Sequence, residues 1–125
     1  MNIVFSINSN VPIYEQIINQ IKLAIMNKEI LPHEPLPSIR NLARDLQISV
    51  ITTKRAYEEL EKEGLIYSLQ GKGFYVNEQN TDLLMEKKVV LLEGQLAELI
   101  RECRAVGVDA KDIKDLIDML YQEAE

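Results

Sequence analysis

One cysteine and one histidine are all that this 125-residue sequence offers to metal or disulfide chemistry. A single thiol cannot close an internal disulfide, and Cys103 with His33 falls short of a usual zinc ligand set, so stapled secreted folds and zinc modules are excluded. Long apolar runs are also lacking. Val89-Val90-Leu91-Leu92 stops after four residues, against the roughly 20 that cross a bilayer, so no membrane span is expected. The start, Met1-Asn2-Ile3-Val4-Phe5, has no basic segment followed by an apolar stretch. It therefore predicts no secretory signal and a cytoplasmic location. The lone histidine sits among prolines and no glycine-rich phosphate loop precedes a helix, so neither a catalytic triad nor a nucleotide site is suggested. An enzyme is not expected, nor an obligatory cofactor or a metal.

What is present suits a folded chain. Hydrophobic residues make up 46% and charged residues 27%, near the globular average, and the length fits one ordinary domain or a small one with an appendage. The net charge of −6 is unevenly spread. Residues 1–78 carry 8 Lys/Arg against 9 Asp/Glu, whereas residues 79–125 carry 6 against 11. The acidity lies in the tail, which leaves the first part free to present a locally basic surface to a polyanion.

Up to about Val76 short elements are punctuated by Pro and Gly, while from Thr81 onward there is no proline and the pattern is helical. The polar stretch Asn77-Glu78-Gln79-Asn80 marks a boundary between residues 1–78 and 79–125. Pro12 can open a helix, and Ile13, Ile17, Ile21 and Ile25 recur every four residues along one face to about Lys28. Leu31 to Pro37 holds three prolines and predicts an extended connector. Ser38 and Ser49 are N-cap candidates for two further helices, the second ending before Gly64. On that helix Thr53, Ala56, Tyr57 and Leu60 share one sector, and Ile51, Lys54, Arg55, Glu58 and Lys62 lie opposite. Two β-favouring runs, Ile66–Leu69 and Phe74–Val76, flank Gln70-Gly71-Lys72-Gly73, whose glycines suit a hairpin turn. Helix, helix-turn-helix and hairpin in that order describe a winged helix.

The tail reads as two helices. Met85, Val89, Leu92, Leu96, Leu99, Cys103 and Val106 are spaced alternately four and three, a heptad seam that favours another helix as partner. Gly107 ends this helix, Asp109 is an N-cap candidate, and Ile113, Leu116, Ile117 and Leu120 form the stripe of a last short helix. The fold class is thus mostly α with a small β-hairpin: a winged helix-turn-helix followed by a C-terminal two-helix hairpin. Such a hairpin cannot bury both apolar faces within itself, which points to Met85, Val89, Leu92, Leu96, Leu99 and Cys103 as core and dimer interface.

Recognition of duplex DNA by a winged helix needs short polar side chains at a helix N-terminus and basic groups that reach phosphate or guanine. Ser38, Arg40 and Arg44 on the second helix and Ser49, Thr52, Lys54 and Arg55 on the third meet that need. Between Ser38 and Arg55 four basic residues face one acid, a local charge of +3. Val50 and Ile51 are apolar on a face that otherwise points to solvent, and Ile51 could meet a thymine methyl group. Lys72 at the hairpin tip can reach the backbone or the minor groove.

The runs Leu36-Pro37-Ser38-Ile39-Arg40-Asn41-Leu42-Ala43, Ala56-Tyr57-Glu58-Glu59-Leu60 through Gly64-Leu65-Ile66, and Gly71-Lys72-Gly73-Phe74-Tyr75-Val76 resemble the GntR family of bacterial transcription regulators. Pro12-Ile13-Tyr14-Glu15-Gln16-Ile17 and the short tail resemble its YtrA subfamily. The resemblance implies a homodimeric repressor that binds a palindromic, inverted-repeat operator, with the tail helices forming the dimer. It carries DNA contacts onto Ser38, Arg40, Ser49, Thr52, Lys54, Gln70, Gly71 and Lys72. Where His33 stands the family usually has Gly, and where Thr53 stands it has Val; Val50 and Ile51 replace residues that are more often polar. A winged helix used only as a protein-interaction module is the alternative reading. No convergent polar cluster marks an effector site, so any inducer is unassigned, as are the operator sequence and the regulated genes.

Overall fold

In the computed structural model, which describes residues 2–124, the order is α1 (Ile13–Met26), α2 (Ile39–Leu46), α3 (Val50–Lys62), β1 (Ile66–Leu69), β2 (Gly73–Val76), α4 (Thr81–Ala105) and α5 (Ala110–Ala124). The chain divides between Met85 and Glu86 into two compact units. The first extends past the polar stretch at residues 77–80 because Leu84, in the opening turn of α4, packs against its core.

In the first unit α1 follows Pro12 and turns Ile17, Ile18, Ile21 and Ile25 inward. It stops at Met26, short of the Lys28 expected from the sequence, because Lys28 adopts a left-handed backbone (φ 60°) that a right-handed helix cannot contain. Leu42 of α2 and Ala56, Tyr57 and Leu60 of α3 close the core with Leu65, Ile66 and Val76. Tyr57 lies edge-on to Phe74 at 5.0 Å and donates its hydroxyl to the Pro37 carbonyl at 2.7 Å. Burial pushes its ionisation well above the ordinary phenol value. Thr53, fully buried, satisfies its hydroxyl by donating to the Ser49 carbonyl at 3.1 Å.

The connector does more than span a gap. Its amides at His33 and Leu36 donate to the Val76 and Phe74 carbonyls at 2.6 and 2.9 Å, and Val76 donates back to Glu34 at 3.0 Å. It thereby lines β2, which pairs antiparallel with β1 in the register Ile66↔Val76 to Leu69↔Gly73. Pro32, Pro35 and Pro37 occupy positions at which no such amide is needed. His33 carries a left-handed backbone (φ 66°), the region that favours glycine. Its ring nitrogen Nδ1 meets the Tyr67 hydroxyl at 2.9 Å.

A second feature was invisible to periodicity. Gln16 and Gln20, one turn apart on α1, use their side-chain amides to clasp the preceding segment. Gln16 accepts from the Ser6 amide and donates to the Ser6 and Val11 carbonyls, and Gln20 exchanges both bonds with the Val4 backbone.

In the second unit the remainder of α4 leads through Gly107 (φ 85°) to α5. No residue of either helix is buried. None of the helices is long and apolar enough to cross a membrane among the described residues.

Candidate nucleic-acid interface

The turn between α2 and α3 is built without glycine. Gln47 takes a left-handed conformation (φ 56°) and the Ile48 amide returns to the Ala43 carbonyl at 3.0 Å, which closes α2 and frees Ser49 to start α3. Both predicted caps form. Ser38 Oγ accepts from the Asn41 amide at 3.1 Å, and Ser49 Oγ accepts from the Thr52 amide at 3.0 Å. Ser49 also donates to Thr52 Oγ1 at 2.7 Å, so the two hydroxyls hold each other.

Along α3 charge is segregated. Lys54 and Arg55 fall in its first two turns, whereas Glu58, Glu59 and Glu61 follow, with Lys62 in the last turn and Glu63 at the C-cap, so the second half is net acidic. The basic groups reinforce the positive end of the helix dipole, so only the N-terminal end of α3 is electrostatically suited to a phosphate backbone. Ser49, Val50, Ile51, Lys54 and Arg55 are exposed and Thr52 is half-buried.

The cations differ in how they are held. Lys54 forms a loose pair with Glu58 at 3.8 Å, and Arg44 reaches Asn41 Oδ1 at 3.1 Å and Asp45 at 3.9 Å. Arg40 on α2 and Lys72 on the wing have no side-chain partner among the described residues. Arg55 is the exception. Its guanidinium lies 3.8 Å from the centre of the Tyr14 ring and donates to the Tyr14 hydroxyl at 3.1 Å, which turns it toward α1. That side of α1 and α3 is rich in acids, with Glu15, Glu59 and Glu63, the last paired with Lys22 at 2.8 Å.

The wing tip is rigidly made. Leu69 to Lys72 form a turn closed by the Lys72 amide on the Leu69 carbonyl at 2.9 Å, and Gly71 and Gly73 take φ of 76° and 96°. Tyr75 donates to the Lys72 carbonyl at 3.1 Å, fixing the backbone from which the exposed Lys72 side chain projects. Gln70, Gly71 and Lys72 are all exposed.

Residues 13–76, the helix-turn-helix and wing together, match the pattern described as "Bacterial regulatory proteins, gntR family". The chain belongs to the GntR family. It is a DNA-binding transcription regulator, not an enzyme. This GntR regulator is 38% identical over 109 residues to the HTH-type transcriptional repressor YtrA of Bacillus subtilis, covering 87% of this chain and 84% of that protein. Its fold matches a crystal structure described as a transcriptional antiterminator from Listeria monocytogenes EGD-e, with a TM-score of 0.73 and 30% identity over 98% of this chain and 92% of that one. It also matches the DNA-binding domain of AraR in complex with operator ORX1, with a TM-score of 0.54 and 29% identity over 61% of this chain and 95% of that one.

The seam residues of the GntR regulator's α4 stand open. Met85, Val89, Leu92, Leu96 and Leu99 are exposed and Cys103 is half-buried. Val90, Leu91, Ile100 and, on α5, Leu116, Ile117 and Leu120 add to the apolar surface. Heptad spacing revealed the stripe of α4. The stacking of Arg55 on Tyr14 left no trace, since it joins residues 41 apart in the chain.

Proposed function

We propose that this GntR regulator is a repressor acting as a homodimer on an inverted-repeat operator. Residues 1–78 bind one half-site each, and residues 79–125 pair two copies. Ser38, Arg40 and Arg44 at α2, Ser49 to Thr52 and Lys54 at the start of α3, and Gln70, Gly71 and Lys72 on the wing contact DNA. Arg55 adds charge to the same helix while resting on Tyr14. Acting on the chromosome, the protein works in the cytoplasm.

The observation that carries this reading is the polarity of α3: an exposed basic N-terminal end against a C-terminal half that is net acidic despite Lys62, with Arg40 and Lys72, unpartnered among the described residues, on the flanking elements. Pairing through α4 is supported by an apolar stripe of several heptads without one buried residue, a surface too large to leave in water. The repressor named YtrA and the AraR domain bound to its operator support the DNA-binding part of this reading.

The test is a fluorescence titration of the full chain against DNA selected from a random pool, over a salt series. Specific binding that weakens steeply with salt, to sequences carrying two inverted half-sites spaced in steps of roughly 34 Å, is expected. Binding that ignores both salt and sequence would overturn the proposal.

A further inference from the structure

The leading turn of α3 meets its surroundings with carbon rather than with hydrogen-bonding groups. Ile51 is 80% exposed and Val50 46%, and neither packs against the hydrophobic core. The Ser49 hydroxyl beside them is engaged, accepting from the Thr52 amide and donating to Thr52 Oγ1, and Thr52 itself is half-buried. One turn further on stands Lys54, exposed and cationic. An isoleucine left in water on a basic helix end, with no role in the fold, gains only when something apolar covers it.

We propose that Ile51, with Val50 beside it, reads the 5-methyl group of a thymine in each half of the operator. The inference rests on the DNA-binding reading above and deepens it. Among the base edges exposed in the major groove, thymine alone presents a methyl group; cytosine has only a hydrogen at the equivalent place, beside its amino donor, and guanine and adenine present the N7 acceptor and its polar neighbour. Pressed against a purine edge or the cytosine amino group, Ile51 would strip water from a polar atom and return no hydrogen bond, which is unfavourable, and against cytosine it would also find no methyl to bury. Pressed against thymine, it buries its own side chain and the methyl together. The apolar pair thus works twice, by attraction to thymine and by exclusion of the other bases.

The test replaces each thymine of the selected half-site, in turn and in both halves, with deoxyuridine, which lacks only the methyl group. Affinities are measured for the native chain and for Ile51→Ala. The side chain is exposed and outside the core, so the variant keeps the fold, and circular dichroism checks this. For the native chain one thymine position should stand out, its replacement weakening binding about fourfold per half-site and roughly fifteenfold in both, the worth of burying one carbon. Ile51→Ala should bind the thymine and deoxyuridine forms within twofold of each other. Native binding that is indifferent to every replacement, or full discrimination retained by Ile51→Ala, would overturn the proposal while leaving DNA binding itself intact. Failure to select any DNA from the pool would remove both.

Discussion

Arg55 of α3 is stacked on Tyr14 of α1, 3.8 Å from its ring centre, and hydrogen-bonded to its hydroxyl at 3.1 Å. The pair ties α3 to α1 through a contact at the surface rather than the core. It also distinguishes Arg55 from Lys54, its neighbour in sequence, which has only a loose partner one turn away.

Arg55→Ala should therefore act mainly on stability. A loss of about 0.5–1 kcal/mol in urea unfolding is expected for an exposed cation–π contact, with Tyr14→Phe losing less because the ring remains. In DNA titrations Arg55→Ala should weaken binding less than Lys54→Ala. Equal losses would mean that the guanidinium leaves Tyr14 for a phosphate.

Arg40 and Lys72 should separate specificity from general affinity. Arg40→Ala is expected to cost roughly 1–3 kcal/mol on the selected operator if the side chain pairs with guanine, and much less on random duplex. Lys72→Ala should weaken both alike and lower the salt slope by about 1. The titrations over salt already described read both.

Leu96→Asp tests the tail. Placing a charge in the middle of the exposed seam should convert dimers to monomers at micromolar concentration in sedimentation velocity, and lower operator affinity on the order of a hundredfold through loss of bivalency. The first unit should stay folded, since Leu96 contributes nothing to its core. A dimer unmoved by this change would assign the contact to another surface.

Tyr57→Phe probes the buried hydroxyl. The Pro37 carbonyl would lose its donor at 2.7 Å, and a destabilisation of about 1–3 kcal/mol is expected. The pH dependence has a definite sign. Burial raises the folded ionisation of Tyr57 above its unfolded value near 10.0, so its share of stability is full below that pH and is lost as pH rises through and beyond it. The native chain should therefore lose stability above pH 10 more steeply than Tyr57→Phe, as equilibrium unfolding at several pH values would show.

Gly64→Ala isolates a backbone effect. A methyl there would meet no atom within 4 Å, yet φ is 80°, so the whole cost comes from forcing alanine into the left-handed region that ends α3. About 1–2 kcal/mol is expected, measured by thermal or urea unfolding.

Much of this protein could be read from local pattern because its elements are strongly punctuated. Ser38, Ser49 and Gly64 mark helix ends by chemistry that acts within a few residues, and Gly71 and Gly73 do the same for the wing. The isoleucines of α1 and the Thr53, Ala56, Tyr57, Leu60 sector of α3 reveal the buried faces by periodicity alone. Exposure of Lys54 follows from the same argument, since a face opposite the core must meet solvent, and that of Lys72 from its place in the hairpin turn.

The left-handed residues that are not glycine were not legible. Lys28, His33 and Gln47 take positive φ because surrounding contacts impose it, not because their side chains prefer it. The amide clasps of Gln16 and Gln20 and the alignment of the connector along β2 likewise escaped, because polar residues carry no periodic signal for a partner distant in sequence.

Local order in the chain therefore decided where helices, caps and turns fall and which stripes are apolar, because these depend on spacings of three or four residues and on backbone preferences of single side chains. Folding in three dimensions decided which of two adjacent, exposed cations, Lys54 or Arg55, is only loosely held and which is taken by Tyr14. That choice rests on bringing α1 beside α3, an event to which dozens of intervening residues contribute and which no short-range pattern encodes.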